Sequence, residues 1–284
     1  MATWIPPGAK SKPLASSVWK PVNPAHAIQR AAAIFEFAEP ITSFAVGKIE
    51  NAVRAEAKRI GLLKEEPLNT ALFEIRPSGP PRPGKSEQVG TLFQDVQGEI
   101  SRQALSVMTA SIRFETGIYT RWIAFREQLA NFMQLSLPII EQNVRIRQVG
   151  LEYVDLFIAA SPGQPDAALI LDKKSRFLTQ RAFDRHGPWH SHSGWFEGET
   201  ELSRHLVNVD VDVADAQGPI DVRRAINIRT YEAEQIIDFG HVRAGEMTQL
   251  EPLLNCLDSL HTALKRHLSG ILTNEARTMI SLGK

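Results

Sequence analysis

Three histidines fall within seven residues in RHGPWHSHSGWFEGE, the stretch 185–199: His186, His190 and His192, with Glu197 and Glu199 close behind. Neutral imidazoles and carboxylates are what a divalent transition metal takes as ligands, and His190 and His192 share a face wherever the segment is extended. Gly187, Pro188 and Gly194 mark the stretch as a loop, while Trp189, Trp195 and Phe196 give it apolar bulk to set against the body of the protein. A packed aromatic loop is therefore the favoured reading and a metal site the alternative. The spacing does not match HExxH.

Four arginines form a second constellation. Arg145 and Arg147 share one side of an extended segment, as do Arg223 and Arg229. On adjacent concave strands they would hold phosphate oxygens through bidentate guanidinium contacts. The alternative is neutralisation across the sheet by Glu152, Asp155, Asp210 and Asp212. His261 lies on the apolar side of the last helical stretch and reads as a hydrogen-bonded core residue. Cys256 has no basic neighbour to lower its pKa, so it is not expected to act as a nucleophile. GxGxxG, GxxxxGK[ST] and GxSxG are absent, which argues against a dinucleotide enzyme, a P-loop ATPase and an α/β-hydrolase.

The elements that must position these residues follow from composition and pattern. The 284 residues carry 32 basic and 32 acidic side chains, so no global field draws nucleic acid or an anionic membrane. A single cysteine excludes an internal disulfide and suits a reducing cytoplasm. No apolar run is long enough to cross a membrane. Residues 1–23 read as a proline-rich arm, with Pro6, Pro7, Pro13 and Pro21, that docks in part through Trp4 and Trp19. Residues 24–284 read as one α+β domain.

Asn143 to Ile158, NVRIRQVGLEYVDLFI, is the central strand, with a bulge expected at Gly150 where its alternation changes phase. Val46, Ile49, Val53 and Ala57 form one helical stripe after a Thr42 or Ser43 cap, and Trp122, Phe125, Leu129 and Phe132 form another that should stop at Pro138. Between them lie a short strand over 70–75, a loop over 77–88 and a meander from 90 to 115. Val207, Val209, Val211 and Val213 alternate with polar residues, and pairing with 222–231 is expected to set Asp212 opposite Arg223 and Val209 opposite Ile226. A leucine-striped helix runs from about Thr248 to Leu272, with a short Thr273-capped helix after it. The order of elements implies a mixed, largely antiparallel sheet with helices packed mainly on one face, arranged as two similar halves.

RQVGLEYVDLF, IFEFAEPIT, WHSHSGWF and LDSLHTALKRHLSGILTNEAR together resemble a sporadically distributed bacterial protein family of unknown function, in which a GLxY strand precedes a closing helix with an LDxLH pair. That family commonly carries arginine and asparagine around the tyrosine, where this chain has Glu152 and Asp155. The resemblance implies a soluble prokaryotic α+β protein and supplies no reaction. The resulting expectation is a non-catalytic binding or regulatory protein working through protein contacts or self-association, without cofactor, membrane or nucleic acid. The alternative is a metal-dependent hydrolase or phosphate binder using His186, His190 and His192 with the strand arginines.

Overall fold

The computed structural model describes residues 14–74, 82–97, 100–184, 187–200, 203–218, 220–237 and 249–282. In chain order they form α1 (Ala15–Val18), β1 (Trp19–Pro21), β2 (Ile28–Phe37), α2 (Ser43–Arg59), β3 (Lys64–Glu74), β4 (Arg82–Gln97), β5 (Ile100–Met108), β6 (Ser111–Thr116), α3 (Trp122–Glu141) and β7 (Ile146–Ala159). Two short 3-10 turns lead to β8 (Trp189–Glu197), β9 (Ser203–Gln217), β10 (Val222–Ile236), α4 (Leu250–Ile271) and α5 (Asn274–Met279). The fold class is α+β.

The strands form one ten-stranded sheet in the order β3-β4-β5-β6-β2-β7-β10-β9-β8. Every described strand pair is antiparallel. β7 is central as expected, with β10 along one side and β2 along the other, and β1 continues the line of β2 beside Phe157 to Ala159. The strand order carries the two-halves pattern. β2 pairs with the last strand of the meander that follows it, β6, and β7 likewise with β10. The halves meet at the antiparallel β2–β7 pair, and α3 and α4 each follow a meander.

Alternation assigns the two faces. Ala31, Ala33 and Phe35 of β2, Val149, Leu151, Tyr153 and Phe157 of β7, and Val207 to Val213 of β9 turn their odd positions toward the helices. All five helices join the two apolar clusters on that side. α2 buries Val46, Ile49, Val53 and Ala57 beneath a Thr42 cap whose Oγ1 accepts from Ala45 N at 3.2 Å, and Gly61 turns the chain out at φ 91°. Among the described residues no helix covers the opposite face, called the open face below.

Several local expectations need correction. Pro138 lies inside α3, which continues to Glu141; so near the carboxyl end, the missing N–H costs the helix only one hydrogen bond. The 82–88 part of the expected loop is strand β4. The histidine segment is likewise strand, not loop: Trp189 to Glu197 pair in unbroken register with Val213 to His205. The β9–β10 hairpin keeps the expected parity but slips by four residues, so that Asp212 faces Asn227 and Val209 faces Thr230, because both strands run further into the turn. The irregularity in β7 sits at Arg147, between the Gln148 and Ile146 pairs. Gly150 serves a close approach instead, since a Cβ there would lie 2.5 Å from the Tyr231 hydroxyl. Part of the expected arm is built into the sheet, with Trp19 wholly buried and its indole N–H donating to Asp166 O at 3.2 Å. Trp4 lies outside the described residues.

Candidate binding cleft

Beneath α4 the two apolar clusters do not merge. Between Tyr153, in one, and Phe157, in the other, β7 places Asp155. β10 continues this polar seam: once Ile226 and Ile228 have fixed its inward parity, the next inward positions are Thr230, Glu232 and Glu234. β9 adds His205 opposite Glu234, and β8 adds Glu197 opposite His205. From above, α4 lowers His267, which shares a stripe with Leu260, Leu264 and Ile271.

These side chains form a continuous chain of acids and bases. The Glu232 carboxylate is wholly buried, and each of its oxygens meets an imidazole: Oε2 lies 2.7 Å from His205 Nε2 and Oε1 lies 2.5 Å from His267 Nδ1. His205 Nδ1 lies 3.6 Å from Glu234 Oε2, and His267 Nε2 lies 3.4 Å from Glu197 Oε1. Glu197 also accepts from the Trp195 indole at 2.9 Å and from Arg266 Nη2 at 3.0 Å. The His267 ring stands edge-on to Phe177 and Trp195, which stack on each other with ring centroids 5.3 Å apart.

Both ends of the chain open on one cleft of about 640 Å³ between α4 and β8–β10. Glu197, His205 and Glu234 form its polar wall, and Asn255, Ser259 and Arg266 approach from the helix. That volume falls in the usual range for small-molecule sites, about 300–1,000 Å³. The protonation states are held by their neighbours. Hydrogen bonds that His205 donates to Glu232 and Glu234 hold its imidazolium, raising its pKa to about 9 against the opposing effect of burial. The Trp195 indole N–H, with help from His267 and Arg266, holds the Glu197 carboxyl below its ordinary range.

A general acid or base works best with a pKa near the operating pH. His205 and Glu197 are instead pinned in their charged forms across the neutral range, which suits recognition by fixed charge.

The residues singled out from the sequence lie elsewhere. His190 and His192 project from β8 onto the open face, opposite Asp212 and Asp210, and His192 Nδ1 bonds Asp210. His186 lies outside the described residues. Among the described residues no three histidine, cysteine or acidic side chains converge as a metal would require. Arg229 sits near the centre of the open face, donating to Glu152 at 2.6 Å and to Asp210 at 2.8 Å. Arg147 pairs with Glu36 at 2.9 Å, and Arg223 with Asp221 at 2.7 Å. Arg223 and Arg229 are six residues apart on β10, about 20 Å. Arg145 precedes β7, and its carbonyl accepts from Ala38 N. Arg147, Arg223 and Arg229 thus each hold carboxylate partners of their own.

His261 is a bonded core residue as expected. Its Nδ1 lies 2.8 Å from the Tyr153 hydroxyl and its ring stacks on Trp122 at 4.4 Å, while burial lowers its pKa to about 4. This contact joins the tyrosine of the GLxY strand to the histidine of the LDxLH helix, so the two sequence patterns meet as a latch between strand and helix.

No protein-family model matches the chain, and no curated protein is significantly similar to it.

The cleft residues were missed because their chemistry depends on pairing distant in sequence. A local signal did exist. The alternation of Ile226 and Ile228 extends to Glu232 and Glu234, and the leucine stripe of α4 includes His267, so polar groups at inward positions could have been read off.

Proposed function

We propose that this chain is a binding protein with no reaction of its own, and that it seats a small ligand bearing amine or amide N–H groups in the cleft between α4 and β8–β10. The observation supporting this reading is the pair of carboxylates, Glu197 and Glu234, on the cleft wall. Both His205 nitrogens face glutamates, the Trp195 indole N–H goes to Glu197, and Arg266 donates to Glu197 as well. The Glu197 and Glu234 oxygens keep further lone pairs that can accept from the N–H groups of an entering molecule. Leu260, Ala263 and Pro252 supply apolar surface for the rest of such a ligand.

The expected protein contacts find their support at the sheet margins rather than in the cleft. The family likeness belongs to the same proposal, supported by the strand–helix latch.

Calorimetric titration with small primary amines, against carboxylic acids of matched size, tests the reading. Amines are expected to bind, and Glu197→Gln with Glu234→Gln to weaken them about ten-fold or more. Binding restricted to the acids, or unaffected by the double substitution, would remove it.

A further inference from the structure

The two margins of the sheet are built differently. On the β3 margin Lys64, Glu65 and Glu66 crowd one end, Pro67 lacks an N–H, and the ladder to β4 shifts register twice. These are the devices by which natural sheets keep an edge from templating another strand. The β8 margin has none of them. Trp189 to Glu197 contains no proline, lysine or arginine, and it pairs with β9 through nine consecutive residues without a bulge. Among the described residues no backbone hydrogen bond reaches β8 from its outer side.

We propose that β8 is the seam of a homodimer, in which two copies of the chain pair antiparallel through this edge about a two-fold axis at Ser193. A second copy is the occupant the strand itself favours. Antiparallel self-pairing covers both free β8 edges in one closed contact and leaves none to propagate. The side chains also match. With Ser193 on the axis, His192 faces Gly194, His190 faces Phe196, Ser191 faces Trp195, and Glu197 faces Trp189, so like charges never meet. Phe196 is 47% exposed, with the Arg204 guanidinium over its ring at 4.3 Å, and gains an aromatic neighbour in His190 of the second copy. Main-chain hydrogen bonds rather than a large apolar area supply the affinity, so the dissociation constant is on the order of micromolar.

Sedimentation of the full chain between about 1 and 100 µM tests this, with two variants that differ only in sign. His190→Glu with Phe196→Glu places carboxylates opposite each other twice and is expected to weaken the dimer about a hundred-fold. His190→Lys with Phe196→Glu makes the same pairs attractive and should restore it to within about ten-fold of the original. Ser193→Cys in a Cys256→Ser background gives a readout independent of those substitutions. Cα atoms opposed across the axis lie about 5 Å apart, so mild oxidation should link the copies. A wild-type monomer at the highest concentration, a dimer indifferent to the sign of the introduced charges, or a Ser193→Cys chain that does not cross-link would each overturn the proposal.

Discussion

Glu232 of β10 and Glu152 of β7 lie one residue out of register and so face opposite sides of the sheet, and both carboxylates are almost wholly buried. On the helix side, Glu232 is held by the imidazoles of His205 and His267. On the open face, Glu152 is held by the guanidinium groups of Arg30 at 2.8 Å and Arg229 at 2.6 Å, with Arg113 at 3.6 Å. Guanidinium groups keep their charge at any pH a protein tolerates, whereas imidazoles do not. The cations that hold Glu152 on the open face therefore keep their charge across the neutral and alkaline range, whereas the seam beneath α4 depends on imidazoles. The partners differ too. Arg30 and Arg229 are about two-fifths exposed and can turn to water, while His267 cannot.

Removing each carboxylate separates the two regions most strongly. Glu232→Ala strands the buried His267 imidazole and the partly buried His205 and is expected to cost about 3–5 kcal/mol, whereas Glu152→Ala releases its arginines to solvent and should cost about 1–2 kcal/mol. Urea unfolding at pH 7 compares them, and equal losses would erase the distinction.

The pH dependence follows from His205. Its folded pKa of about 9 lies above the ordinary 6.5, so its stabilising contribution is complete below about pH 6.5 and is lost as pH rises through 9. The cost of Glu232→Ala should therefore shrink between pH 6.5 and 9.5, while that of Glu152→Ala stays level over the same window.

Asp155 extends the seam with the opposite sign. Neither of its oxygens has a partner among the described residues, and burial raises its pKa to about 7. An acid with a raised folded pKa loses stability as pH climbs from its unfolded value to its folded one, here from about 4 to 7. Asp155→Asn should accordingly stabilise the protein by about 2–4 kcal/mol at pH 8 and by much less at pH 4, as thermal or urea unfolding at the two pH values would show. At the small end, His192→Ala removes an exposed pair with Asp210 on the open face and should change stability by no more than about 0.5 kcal/mol.

Much of the architecture could be read locally. The valine alternation of β9, the α2 stripe, and the Thr42 and Thr273 caps each follow from residues within a few positions of one another. β8 was harder, because Gly187, Pro188 and Gly194 carry the chemistry of a turn. Gly194 in fact stands where a Cβ would meet Asn208 Oδ1 at 2.5 Å, so it marks a close strand approach. Of the arginines and histidines that attract notice in the sequence, Arg147, Arg223, Arg229 and His192 prove to be paired with carboxylates on the open face. The cleft depends on His205, Glu232 and His267 meeting across three elements, and no local pattern states the register that brings them together.

Two glutamates hold His205 as an imidazolium at the wall of the cleft. An NMR titration of the His205 ring in the folded protein tests it most directly. A midpoint near pH 9 is predicted, and a midpoint at or below 6.5 would contradict both the locked charge and the binding function argued from it.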